Sequence, residues 1–321
     1  MSSSKPPLNF ESGTIADPDV QSDLWVPIEL IQEIIHILWY STALSSKERI
    51  NLLCTLRLVN HAWWETIMRY AQRDVHIPSY MFGVQYYFRM MGLQNRDTKC
   101  HCMTFRVEEH VPKGVALAPR SSEWNGKSIN DILTHVHLPN LRRVVIEYVH
   151  TDIQDLAKQS RLRNLPTQVT ELEIYHTPRM IQAEEVGSSV WMFPMWGNFQ
   201  TPPEVTKLTL VGLSICYLFE GLKPFTKLEE LVFGPEHRLA HRLDTSGWTH
   251  SDFPELKGAC VARVVLHSVF MRIEKREPDR IGRFKKVTYR GKHFDVPESE
   301  QSKIEELCAR YRVSISFILE P

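Results

Sequence analysis

The spacing of apolar residues changes near residue 73. From Leu24 to Arg73 they recur at three- and four-residue steps, the period of a helix face. Beyond Arg73 they come in short alternating runs separated by loops and short amphipathic pieces, the texture of strands. Residues 1–22 are polar, rich in serine and carry Pro6, Pro7 and Pro18, which predicts a disordered leader.

Within the helical stretch three elements can be placed. Pro27 suits the first position of a helix, where its missing N–H costs nothing. Ile28, Ile31, Ile34, Ile35 and Leu38 follow at helical steps, and Leu30, Ile37 and Trp39 widen the apolar surface. A helix this apolar must be covered on more than one side. Ser45 with Glu48 forms a capping-box pattern that opens a second helix, with Leu52, Leu53, Leu56 and Val59 on its inner face. Asn60 can cap a third, short helix carrying Trp63, Trp64, Ile67 and Met68. A unit of about fifty residues buries little core of its own. Its surplus apolar surface therefore goes onto the rest of the chain, onto a partner, or both.

The order Leu24-x-x-Pro27-x-Glu29-Leu30-Ile31-x-x-Ile34-x-x-x-Leu38, then Leu56-Arg57-Leu58-Val59-Asn60-His61-x-Trp63, resembles an F-box of the fungal type. The likeness covers residues 23–70; Val26 and the pair Asn60-His61 stand where the family usually has leucine and Cys-Arg or Cys-Lys. The resemblance implies a three-helix unit that docks a Skp-family adaptor and so joins a Skp–cullin–F-box ubiquitin ligase, whose associated E2 carries the chemistry. The docking residues it implies are Leu24, Pro27, Ile28, Leu30, Ile31, Ile34 and Leu38, with Leu56, Val59 and Trp63 as framework or contact.

The rest of the chain holds a weak internal repeat in which apolar residues follow the order φ-x-x-φ-x-φ. Its copies are Leu141-Val144-Ile146, Val169-Leu172-Ile174, Val205-Leu208-Leu210, Leu228-Leu231-Phe233, Val261-Val264-Leu266 and Phe284-Val287-Tyr289. Cys100-Met103-Phe105 is an imperfect further copy, and Val313-Ile315-Phe317 reads as a closing strand fed by a helix over 299–311. Proline or glycine often precedes the run, as at Pro139, Pro166, Pro224 and Gly282. The last two apolar positions alternate as one strand face requires, and the first packs the turn that enters the strand. One such unit cannot bury its inner face, but a stack can. The shorter steps between copies fall in the leucine-rich-repeat range, although the asparagine ladder of regular repeats is absent. The expected fold is thus an α N-terminal three-helix F-box-like unit over 23–73, followed by an α/β irregular leucine-rich-repeat-like solenoid over 74–321 that binds a target.

Composition narrows the functions. The 38 Lys and Arg residues balance 38 Asp and Glu residues, so the chain lacks the basic footprint of a general nucleic-acid or membrane-surface binder. No apolar stretch reaches the roughly 18 residues a membrane span needs, and the N-terminus has no apolar signal core. The six cysteines form no C-x-x-C pair, and no Asn-x-Ser/Thr sequon occurs; both fit a reducing cytoplasmic or nuclear compartment.

Catalytic signatures are missing: there is no G-x-S-x-G, H-E-x-x-H or G-x-G-x-x-G, and Gly126-Lys127-Ser128 has Ser121 where a phosphate loop needs its first glycine. Cys100-His101-Cys102 would need a fourth zinc ligand such as His76 or His110, at spacings no zinc module uses; it reads instead as a strand with both cysteines in the core and His101 outside. His237, His241 and His250 read as a solvated insertion, and Arg272–Arg283 as a solvated charged loop. Tyr80–Met91, rich in aromatics, reads as a core joining the helical unit to the first repeat. The connection bearing Trp191, Phe193, Trp196 and Phe199 has two readings: an anchor for the target protein, or a plug on the side of the repeats. The sequence thus predicts a non-enzymatic adaptor with no cofactor or metal, bound to a Skp-family protein, a cullin scaffold and an unknown protein target. The alternative is an interaction scaffold whose N-terminal helices only cap the repeats.

Overall fold

The computed structural model describes residues 26–41, 44–92, 99–108, 126–151, 162, 164–178, 203–213, 222, 224–235, 261–276, 282–292 and 296–320. The elements in chain order are α1 (Ile28–Trp39), α2 (Ser46–Leu56), α3 (His61–Arg73), β1 (Asp74–Ile77), α4 (Tyr80–Gly92), β2 (Cys102–Glu108), α5 (Gly126–His135), β3 (Arg143–Thr151), β4 (Glu171–Pro178), β5 (Lys207–Leu213), β6 (Glu230–Pro235), α6 (Val261–Arg276), β7 (Lys286–Lys292), α7 (Glu298–Arg310) and β8 (Ser314–Glu320). The fold belongs to the α/β class. The predicted leader lies outside the described residues.

The eight strands form one parallel sheet whose spatial order is the chain order, β1 to β8. Their register aligns the repeat positions directly. Met103, Val144, Leu172, Leu208, Leu231, Val287 and Ile315 form one cross-strand row. Phe105, Ile146, Ile174, Leu210, Phe233, Tyr289 and Phe317 form the next. The turn positions Cys100, Leu141, Val169, Val205, Leu228 and Phe284 are buried beneath the strand entrances. Helices α4 to α7 pack on this apolar face; Ile132 and Leu133 of α5, Phe270 of α6 and Ile304 of α7 share one core with the strands.

The strand entrances are tied to one another by the backbone. At the start of each of β3 to β7, two consecutive N–H groups donate to one carbonyl at the entrance of the preceding strand. Arg142 and Arg143 share the His101 oxygen, Thr206 and Lys207 that of Thr170, and Lys285 and Lys286 that of Glu229, at 2.8–3.1 Å. Each turn thus satisfies its own donors without a side-chain acceptor.

Two predicted segments are corrected. Val261-Val264-Leu266 is the start of α6, so the strand following Leu231 in the row is Val287. The pattern of three residues fits a strand, but Ala262, Val265, Leu266, Val269, Phe270 and Ile273 make a longer helical stripe, all of it buried in the core. The charged run from Arg272 accordingly starts inside α6. The aromatic segment is helix α4, and Tyr80, Phe82, Tyr86, Tyr87 and Met90 pack against the sheet's core, not against the cluster formed by α1 to α3.

That second cluster is small: Ile31, Ile35 and Trp39 of α1 with Leu56 of α2 and Ile67 of α3. Both caps form as the sequence predicts. Ser45 and Glu48 exchange capping-box bonds, the Ser45 N–H reaching Glu48 Oε2 at 2.7 Å, and Asn60 Oδ1 accepts the Trp63 N–H at 3.1 Å. Pro27 is the residue before the first helical position, and its carbonyl accepts the N–H groups of Leu30 and Ile31 at 3.1 and 3.2 Å. Helix α3 runs to Arg73, longer than expected, and β1 begins at the next residue. Arg49 closes the α1–α2 link, donating to the carbonyls of Trp39 (2.8 Å), Ser41 (2.7 Å) and Leu44.

Candidate interaction surfaces

Two faces stand out: an apolar one on the N-terminal helices and a polar one on the sheet. On α1 the inward stripe is Ile31, Ile35 and Trp39, spaced by four residues. The other apolar residues point away from the cluster, with Ile28 39%, Leu30 55%, Ile34 41%, Ile37 60% and Leu38 36% exposed. Leu58 and Val59, in the turn between α2 and α3, are 77% and 55% exposed. Nine of the twelve exposed large apolar side chains among the described residues lie between Val26 and Val59. Covering five aliphatic side chains would release roughly 5–10 kcal/mol before association costs.

The expected docking residues therefore divide. Ile28, Leu30, Ile34, Leu38 and Val59 are exposed, while Pro27 and Trp63 are half-buried. Ile31 and Leu56 are interior, so Ile31 is not a contact residue: its position one turn before Ile35 puts it on the stripe facing α3. Val59 lies beyond the end of α2 and does not join its inner face. Leu24 lies outside the described residues, as do Trp191, Phe193, Trp196, Phe199 and the His237, His241 and His250 group.

The opposite face of the sheet is polar. One row reads Asp74, Cys102, Arg143, Glu171, Lys207, Glu230, Lys286, Ser314, with opposite charges on neighbouring strands from Arg143 to Lys286. A cavity of about 700 Å³ opens on this face, bounded by the end of α1, the start of α2 and the outward side chains of β1 to β5 and β7. Its carboxylates are already engaged. Tyr40 OH donates to Asp74 Oδ2 at 2.5 Å, and Ser46 Oγ to Glu147 Oε2 at 2.9 Å. Glu173 Oε2 accepts from Arg143 Nη2 and from Tyr175 OH, each at 2.9 Å.

Burial sets the protonation states. It lowers the His76 pKa to about 3, helped by the charges of Arg49 and Arg143, so the imidazole stays neutral at pH 7. Burial lifts the Cys102 thiol to about 12, and burial with the Glu173 charge lifts the Tyr175 phenol to about 12. Tyr40 is raised by burial and by its bond to Asp74. For Arg143 burial opposes the charge, but the Glu173 hydrogen bond and charge outweigh it and hold the guanidinium protonated. The cavity thus offers neutral thiol, phenol and imidazole beside permanent cations.

The Cys100-His101-Cys102 reading is half corrected. Cys100 is buried in the core and His101 is exposed, but Cys102 lines the cavity on the other face. The three-residue step from the turn to the strand shifts the alternation by one, which separates the two sulfurs. Among the described residues no group of three His, Cys, Asp or Glu side chains is placed to hold a metal ion, and no helix is long and apolar enough to cross a membrane. Sequence reading missed the cavity because it followed the apolar positions of each repeat; Arg106, Arg143, Glu173 and Tyr175 occupy the polar positions between and beside them. No family model, curated protein or solved structure matches the chain.

Proposed function

We propose that the chain is a non-enzymatic substrate adaptor of a Skp–cullin–F-box ubiquitin ligase. In this reading α1 to α3 are an F-box-like unit that docks a Skp-family adaptor, and the sheet with its helices is an irregular leucine-rich-repeat-like solenoid that holds the target. The observation that carries the reading is the uncovered apolar face of α1, centred on Leu30, Ile34 and Leu38, together with Val59. A chain of otherwise ordinary polarity leaves these side chains in water while sealing Ile31 and Ile35 beside them. The likeness of residues 23–70 to an F-box names the partner. The chemistry would belong to the ligase's E2, so the adaptor itself needs no cofactor, and its place would be the cytoplasm or nucleus.

The test is co-expression with a Skp-family adaptor and size-exclusion chromatography. The wild type is expected to form a one-to-one complex. Leu30→Asp with Val59→Asp should abolish it while leaving the circular-dichroism melt of the chain unchanged. A complex that survives this double substitution contradicts the docking assignment. Ile31→Asp is unsuitable, since it would place an unpaired charge in the α1–α3 cluster.

One observation favours a second reading, in which the helices act as a cap. They pack on β1 and reach β3: Tyr40 bonds to Asp74, His76 lies 5.5 Å from the Trp39 ring, and Ser46 bonds to Glu147 of β3. Removal of residues 1–73 discriminates. A pure cap predicts unfolding of the remainder and no adaptor binding by the full chain; the adaptor reading requires that binding whatever the remainder does.

A further inference from the structure

The cavity on the polar sheet face has a surplus of hydrogen-bond donors. Arg106, Arg143 and Arg290 reach it from β2, β3 and β7. A guanidinium carries five N–H donors. Arg106 spends Nε on Glu108 at 3.2 Å, Arg143 spends Nη2 on Glu173, and Arg290 Nη1 reaches only Tyr175 OH at 3.5 Å. Each wall carboxylate already accepts at least one hydrogen bond: Asp74 from Tyr40, Glu147 from Ser46, and Glu173 from Arg143 and Tyr175. Arg106 and Arg290 line the cavity with most of their N–H groups outside these bonds.

The register shows how the volume is kept open. Arg106, Glu147, Tyr175, Val211 and Gly234 lie in one cross-strand row. Val211 and Gly234 thus fill the interval between Tyr175 and β7 with small residues, and the Arg290 side chain spans it. A Cβ at Gly234 would come within 2.2 Å of the Arg290 carbonyl oxygen, so no larger side chain fits beside β7 there. The cavity's size falls within the range of ligand sites, about 300–1,000 Å³. Four arginines line the cavity, Arg49, Arg106, Arg143 and Arg290, against the three carboxylates Asp74, Glu147 and Glu173, an excess of one formal positive charge in a chain that is neutral as a whole.

We infer that this cavity is a binding site for a multiply charged carboxylate ligand, gripped by the Arg106, Arg143 and Arg290 forks. Guanidinium groups match carboxylate geometry in bidentate fashion, which lysines do not. The carboxylates can come from a free small polycarboxylate or from acidic side chains of a peptide. The assignment is independent of the Skp-docking reading, because it concerns the other face and needs no partner.

The experiment uses the full-length chain at low ionic strength. Anisotropy of fluorescein-labelled hexaglutamate and calorimetric titration of citrate supply the two arms. Saturable one-to-one binding of either anion is expected, weakened about tenfold or more by Arg290→Gln and separately by Arg106→Gln. Lys303→Gln, on α7 at a position paired with Glu300, should leave it unchanged. Hexaglutamate displaced by citrate supports acidic side chains as occupants; binding of citrate alone supports a free anion. Absence of binding by both probes overturns the assignment, as does equal weakening by Lys303→Gln or retention of full affinity in both arginine variants. Adaptor complex formation, read separately, is expected to be unaffected by either arginine substitution.

Discussion

The helices α1 to α3 and the eight-stranded sheet are built from similarly apolar sequence but dispose of it differently. In the sheet the apolar rows from β2 to β7 are buried, with α4 to α7 packed against the same core, and the opposite face is given to paired charges. In the helical unit only one stripe of α1 is sealed, and Leu30, Ile34, Ile37 and Leu38 remain in water beside it. The sheet is self-sufficient because each strand adds a row to a core its neighbours already shelter. Among the described residues, no element covers the outer side of the helical unit. Its polar bonds to β1 and β3 fix its place, and its apolar surplus stays exposed.

The difference can be broken most sharply in the interior. Leu208→Ala, in the middle of the first sheet row, is expected to cost about 2–5 kcal/mol. Leu30→Ala is expected to stay within about 0.5 kcal/mol, since Leu30 is more than half exposed. Urea denaturation of the two variants checks both; equal losses would mean that α1 is covered by the chain itself.

A second test addresses the contact between the two regions. His76 sits between Trp39 and Ser46 with its pKa depressed to about 3, against about 6.5 in an unfolded chain. Between those values the unfolded chain binds the extra proton, so acid favours unfolding. The stability tied to His76 is complete above pH 6.5 and is lost as pH falls toward 3, by up to about 1.4 kcal/mol per unit. His76→Gln should flatten that part of the profile, measured as urea midpoints from pH 7 down to pH 4. A parallel profile for wild type and variant would place the imidazole in water.

The smallest expected effect is local to the helical unit. Ser45→Ala removes the Ser45 side-chain bonds of the capping box at the start of α2 and should cost about 1 kcal/mol in thermal or urea unfolding. No measurable loss would mean that packing on β1 alone holds that helix end.

What was legible in the sequence follows the reach of each interaction. The sheet rows were legible because φ-x-x-φ-x-φ is a local pattern, and the register turns local likeness into adjacency: Leu172, Leu208 and Leu231 are side by side as the repeats imply. The caps at Ser45 and Asn60 span three residues and were read correctly. Helix α6 was misread because Val261, Val264 and Leu266 satisfy the strand template, while the helical evidence extends to Ile273. The sealed position of Ile31 needed the location of α3, which helical spacing alone does not supply. The cavity was illegible for the same reason on a larger scale. Tyr175 and Arg290 meet across 115 residues of chain, and no spacing between them marks the encounter.

Hydrogen exchange on the full chain, with and without a Skp-family adaptor, tests the central claim most directly. The account predicts new protection over residues 28–38 and at Leu58 and Val59, with the sheet rows unchanged. Unaltered exchange across α1 in the presence of saturating adaptor, or protection confined to the sheet, would contradict it.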